Sequence, residues 1–167
     1  MERIDLYDEN RVFSGKIINR GEEIPKGLYK LSVHIWVVNK KGDIYIQKRT
    51  PNRKKFPNLW ENPGGGVLSG ETTEEAIVRE YKEELNRSLI KKDFKLIKTI
   101  KREKDFADIF IVEEDFEIKD LTLQKEEVAE AKWVTLEEIN KMIQNNEFVP
   151  TIYDSLNPFL EYLENKK

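Results

Sequence analysis

The sequence contains no cysteine and a single histidine, His34. The first absence removes disulfides, thiolate nucleophiles and thiolate-rich zinc sites, and the second removes any metal centre built on several imidazoles. No stretch approaches the roughly 18 consecutive apolar residues of a membrane-spanning helix, and the segment from Met1 to Asp5 lacks the apolar core of a secretory leader. The expectation is a cytoplasmic protein without membrane association. A dominant charge is lacking too. The 29 basic side chains face 32 acidic ones and leave a net −3, so no global field draws a nucleic-acid polymer and any polyanion binding has to be local.

What is present is one domain's length of chain. The 167 residues show no repeat, low-complexity tract or linker, and a chain of that size buries roughly two-thirds of its unfolded surface without crosslinks. Ile4 to Leu6 and Val12 to Ile18 flank the turn-rich Asp8-Glu9-Asn10-Arg11 and predict a β-hairpin within an N-terminal extension over residues 1–27. Leu31 to Val38 alternates at period two with both faces largely apolar, so it predicts a strand covered on both sides, with Asp43 to Arg49 as its antiparallel partner. Further strands are predicted over Phe94 to Ile100 and Ala107 to Val112, around a charged turn, and just before Val134. Thr135 with Glu138 repeats a capping signal and predicts a helix to about Ile143. Pro150 and Asn157-Pro158 each predict the start of a helical piece in a C-terminal segment over residues 150–167, because proline is tolerated at the first helical position. The sum is an α+β fold, a mixed sheet with helices packed on it, forming a single domain over residues 1–167.

The chemistry concentrates between Pro63 and Arg87. Gly64 to Gly66 predict a loop in which a charged ligand can approach the main chain. Thr72 and Glu75 form a capping-box pattern, Ala76, Ile77, Tyr81 and Leu85 supply an apolar stripe, and Glu80, Glu83 and Glu84 fall in one narrow sector away from it. A solvated helix face is the ordinary meaning of such a cluster. Like charges at these spacings nevertheless repel by a few tenths of a kcal/mol each, which points to a cation between them, and oxygen-only ligands suit Mg²⁺ or Mn²⁺. Lys48, Arg49, Arg53, Lys54 and Lys55 form a local basic run, either a solvated loop or contacts for phosphate. His34, in mid-strand among apolar residues, reads as a buried core histidine.

The spacing Gly65-x5-Glu71-x7-Arg79-Glu80-x2-Glu83-Glu84 resembles the Nudix box, the signature of hydrolases acting on nucleoside diphosphates linked to another group. The resemblance implies an α/β/α sandwich with a mixed sheet and a small-molecule nucleotide or diphosphate substrate. It implies that Glu80, Glu83 and Glu84 hold divalent ions with a backbone carbonyl near Gly64, that Glu71 supports the metal shell, and that Arg79 orients its acidic neighbours. The proton acceptor varies among members; Glu80, Glu113, Glu126 and Glu127 are the candidates here, with Glu127 preferred. Arg20, Lys48, Arg49 and Lys54 are the candidate substrate contacts, and a homodimer is an open alternative to a monomer.

Three positions depart from the family pattern: Tyr81 and Arg87 replace aliphatic residues, and Asn86 replaces a glycine. Asn is the next-best residue for a left-handed helix stop. The stretches Leu6 to Asn10, Gln47 to Arg49 and Phe56 to Trp60 look like the branch containing type I isopentenyl-diphosphate isomerase. That reaction needs a cysteine and histidine ligands which this chain lacks. A Nudix-fold binding or regulatory module without turnover is the remaining alternative, disfavoured because all the box carboxylates are kept.

Overall fold

The strongest apolar alternation in the chain becomes β3 (Lys30–Val38), and the computed structural model, which describes residues 1–167, lays out a seven-stranded sheet around it. Ahead of it, β1 (Arg3–Tyr7) and β2 (Phe13–Asn19) pair antiparallel as a separate hairpin. Its turn is an Asx motif: the Asp8 carboxylate accepts the amides of Asn10 and Val12, each at 2.9 Å, the local bonding that makes Asp a turn former.

The main sheet contains β4 (Ile44–Arg49), β5 (Trp60–Glu61), β6 (Gly64–Gly66), β7 (Phe94–Lys101), β8 (Asp105–Glu113) and β9 (Val128–Val134). Its order is β5-β4-β3-β8-β7, with β6 also on β3 and β9 on β4. Only β3 and β8 run parallel, in register from Lys30 opposite Asp105 to Val38 opposite Glu113. The other pairs are antiparallel, so the sheet is mixed.

Helix α1 (Thr73–Leu85) covers one face, while α2 (Leu136–Gln144) and α3 (Ile152–Asn165) cover the other. The alternation of β3 explains this layering. Leu31, Val33, Ile35 and Val37 pack with Ala76, Ile77, Tyr81 and Leu85 of α1. Trp36 and Val38 pack with Ile139, Met142, Ile152 and Phe159, and the Trp36 ring stacks on Phe159 with centroids 4.2 Å apart. Fully burying each such side chain contributes about 1.5–3 kcal/mol before entropy is counted, which is why both faces of β3 must be covered. No helix is long and apolar enough to cross a membrane.

Two local expectations are corrected. Gly64 to Gly66 are not a loop but a strand, pairing with His34, Val33 and Ser32 of β3. Space, rather than backbone conformation, demands the first two glycines: a Cβ on Gly64 would lie 2.2 Å from the Val33 carbonyl oxygen, and one on Gly65 2.2 Å from Oε1 of Glu80. At the other end, Pro158 does not start a helical piece but lies inside α3. A proline there forgoes one main-chain hydrogen bond, and the buried Ile152, Ser155 and Phe159 dock the helix on both sides of it.

Candidate active site

Helix α1 carries the acidic residues, and its ends are fixed locally. Thr72 Oγ1 accepts the Glu75 amide at 3.1 Å while the Glu75 carboxylate accepts the Thr72 amide at 2.9 Å. Asn86 ends the helix in the left-handed region at φ 58°, as an asparagine can. Between these ends the apolar stripe turns into the core, and Glu80 and Glu84 are buried with it, at 6% and 3% exposure. Glu83 stands on the rim, its side chain 45% exposed.

The glycine strand and the helix are joined by these carboxylates. The Gly64 amide donates to Glu84 Oε2 at 3.1 Å, and Gly65 leaves the space that the Glu80 carboxylate fills. Arg79 organises the remainder. Its guanidinium donates to both Glu71 oxygens at 2.6 and 2.9 Å, to Glu80 at 3.0 Å, to Glu83 at 3.4 Å and to the Gly66 carbonyl at 3.0 Å. The planar fork of arginine suits such a many-sided contact. Glu71 also accepts the Leu68 amide at 2.8 Å, which locks the turn before α1.

The electrostatics are those of crowded, buried acids. Burial pushes the Glu80 carboxyl up to about 7, with Arg79 opposing and Glu83 and Glu127 reinforcing the shift. Burial raises Glu84 well above the usual carboxylate range, and the charges of Glu61 and Glu80 add to it, against the Gly64 amide. Burial also lifts Glu71, but the hydrogen bonds from Arg79 and Leu68 prevail and its pKa falls below the ordinary value. Glu61 is the acid that no sequence motif marks. It lies on β5, its pKa is raised by burial against the Arg49 guanidinium at 3.1 and 3.2 Å, and the Glu127 charge adds to the rise. Its only signal in the sequence is its position just ahead of the glycines.

No three acidic or histidine side chains converge on one point as a ready cage. Arg79 draws Glu80 and Glu83 to itself, and the Gly64 amide holds Glu84. The residues still fit a divalent ion, because buried like-charged oxygens with raised proton affinity are stabilised by a cation and supply the hard ligands that Mg²⁺ and Mn²⁺ take. Arg79 engages one oxygen of each, Oε1 of Glu80 and Oε2 of Glu83, which leaves the second oxygen of each carboxylate for an ion.

The other candidates divide clearly. Glu127 lies within electrostatic range of Glu80 and Glu61, and pairs with Arg53 at 2.8 Å. Glu126 is exposed and contributes its carbonyl to the Thr50 hydroxyl at 3.1 Å. Glu113 faces α3, where it pairs with Lys166 at 3.2 Å, across the sheet from α1. His34 is held neutral, its pKa lowered to about 4 by burial and the neighbouring Arg102. Of the basic candidates, Lys48 pairs with Glu130 at 3.6 Å, Arg49 with Glu61, and Lys54 is exposed. Arg20 pairs with Glu2 at 2.6 Å and lines a cavity bordered by Gly66.

This geometry has counterparts. Residues 28–155 match the NUDIX domain, so the match starts just after the hairpin extension. An uncharacterised Nudix hydrolase from Listeria monocytogenes is 38% identical over 154 residues, 92% of this chain and 91% of that protein. Another from Listeria innocua is 38% identical over 162 residues, 96% of this chain and 95% of its own. The crystal structure of a Deinococcus radiodurans protein superposes with a TM-score of 0.76 at 26% identity, covering 89% of this chain and 92% of that one.

Proposed function

The chain belongs to the Nudix family, and on that premise we propose that it is a pyrophosphohydrolase, dependent on Mg²⁺ or Mn²⁺, that cleaves the diphosphate linkage of a nucleotide or nucleoside diphosphate derivative. The observation that carries this reading is the buried pair Glu80 and Glu84, packed against the glycine strand with raised proton affinity. Buried acids of that kind are costly unless a function retains them.

Glu80, Glu83 and Glu84 are the residues that would hold the metal, with the main chain at Gly64 beside them and Glu71 fixed by Arg79 behind. A divalent ion there supplies charge neutralisation of the diphosphate and Lewis acidity toward the attacking water. The protein's own residues do the rest. Arg79 keeps Glu71, Glu80 and Glu83 oriented, a positioning role. Glu127 accepts the proton of the water as the new bond to phosphorus forms and the bridging oxygen leaves with its phosphoryl group. Its bond to Arg53 at 2.8 Å aims that carboxylate.

A panel of nucleoside triphosphates, dinucleotides and nucleotide sugars assayed with Mg²⁺ and with Mn²⁺ tests the reading, with Glu83→Gln as the paired variant. Loss of at least about 10²-fold in turnover is expected, since a metal ligand is worth several kcal/mol in the transition state. Unchanged turnover in the variant would overturn catalysis through the box carboxylates, and nucleotide binding without hydrolysis by the native protein would favour a non-catalytic binding module instead.

A further inference from the structure

A cavity of ≈ 360 Å³ opens between the N-terminal hairpin and the glycine strand. Its size falls in the range of small-ligand pockets. Four cations reach it from four separate segments: Arg20 just after β2, Lys30 at the start of β3, Lys55 between β4 and β5, and Lys104 in the turn between β7 and β8. Only folding brings them together, and it brings together like charges, which repel unless an anion joins them.

Their existing partners do not neutralise the group. Arg20 pairs with Glu2, and Lys104 donates to the Ile24 carbonyl at 3.1 Å. Lys30 and Lys55 have no place among the ion pairs of the molecule; Asp105, the one carboxylate that attracts Lys30, is taken by Ser32 and Arg102. Two acids share the wall: Glu22, which accepts from the Asn19 side chain and amide at 2.9 and 3.2 Å, and Glu23; neither forms an ion pair with the lysines. Two ammonium groups are therefore left facing a concavity with their donors unused.

The cavity adjoins the carboxylate site. Gly66 forms part of its wall, and the Gly66 carbonyl accepts from the same Arg79 guanidinium that holds Glu80. Arg20 lies within electrostatic range of both Glu80 and Glu127. A substrate with its scissile diphosphate over Glu80, Glu83 and Glu84 has one end positioned to enter here.

We propose that this cavity is an anion subsite, in which Lys30 and Lys55 bind a phosphate group of the substrate beyond the hydrolysed bond, with Arg20 and Lys104 on its rim. The hairpin extension is then part of the substrate site, and preferred substrates end in phosphate rather than in a neutral sugar. Ammonium groups recognise phosphate oxygens through short charge-assisted bonds, whereas a neutral hydroxyl leaves the cluster uncompensated. The proposal rests on the hydrolase reading for the substrate's orientation, but its binding test does not.

The test is calorimetric titration of tripolyphosphate into the full-length protein in EDTA. Binding to the native protein and to Glu83→Gln is expected to be alike. The double variant Lys30→Gln, Lys55→Gln should bind at least about tenfold more weakly, as lost hydrogen bonds from charged groups require. Lys55 is exposed, so Lys55→Gln alone serves if the double variant does not fold, with a several-fold loss expected. Absence of binding, or equal binding by the lysine variants, overturns the subsite. With an active enzyme, the change should fall on KM for phosphate-terminated substrates rather than on kcat; equal KM values overturn it as well. Absence of turnover with tripolyphosphate binding retained would reject the hydrolase reading alone.

Discussion

Tyr81 and Arg87 bind the same carboxylate. The Tyr81 hydroxyl donates to Oε2 of Glu114, and the Arg87 guanidinium donates to Oε1 at 2.6 and 3.1 Å while lying 4.5 Å from the centre of the Phe116 ring. These are the two residues that replace aliphatic side chains of the Nudix pattern, and their shared partner explains them together. A buried phenol needs an acceptor, and the acceptor needs a cation.

Removing the shared partner tests that account. Glu114→Ala leaves the buried Tyr81 hydroxyl and the Arg87 head group unpaired, at an expected cost of roughly 2–3 kcal/mol in urea denaturation. Tyr81→Phe with Glu114→Leu should recover part of the loss, because apolar replacement of both partners removes the desolvation penalty. A single-variant loss below about 0.5 kcal/mol, the size of an ordinary surface change, counts against the triad.

The glycine strand offers a contrast between two adjacent positions. On Gly64 an added methyl meets the Val33 carbonyl oxygen, which is backbone of the central strand; on Gly65 it meets the tip of Glu80, which can swing away. Gly64→Ala should therefore cost about 1–3 kcal/mol of stability. Gly65→Ala should melt close to the native protein yet lose more than about tenfold in activity, because the displaced carboxylate is the one proposed to hold metal. A Gly65→Ala enzyme of full activity would count against a role for Glu80.

Legibility followed the range of the forces involved. The bounds of α1 could be read because Thr72 and Glu75 act within its first turn and Asn86 at its last. The pairing of Gly64 to Gly66 could not, because its partner is Val33 and its neighbours, reached only when the sheet assembles. Glu61, Lys30 and Lys104 stayed hidden for the same reason: each gains its neighbours from a different segment. The register of β8 likewise sent Glu113 to the α3 side, away from the box. The resemblance to a family supplied the layer order, which periodicity alone leaves open.

Arg79 sets a positioning prediction. Arg79→Lys keeps a charge but not the fork that spans Glu71, Glu80, Glu83 and the Gly66 carbonyl. We expect a 10- to 100-fold loss, roughly the cost of removing an outer-shell partner of metal ligands. The loss should appear partly as a higher Mn²⁺ concentration for half-maximal activity, which a merely structural arginine would not shift. The native metal dependence in Arg79→Lys would refute the positioning role.

The hairpin extension is tied to the sheet by Arg11, and that tie predicts a pH dependence. Arg11 donates to both oxygens of Asp108 at 2.7 and 2.6 Å, and Thr99 to one of them at 2.7 Å. Burial acts to raise the Asp108 pKa, but the hydrogen bonds from Arg11 and Thr99 and the Arg11 charge oppose it and the net shift is downward. A carboxyl depressed in the folded state binds its proton more weakly there than in the unfolded chain, whose value is about 3.9. Its stabilisation is therefore fully present above that value and fades as pH falls through the lower folded one. Asp108→Asn should be less stable than the native protein at pH 7 by roughly 2–4 kcal/mol, as for a largely buried pair that loses one charge. The gap should narrow as urea titrations move from pH 5 to pH 3. A gap that stays constant across that range would mean that Asp108 contributes shape and hydrogen bonding but no charge.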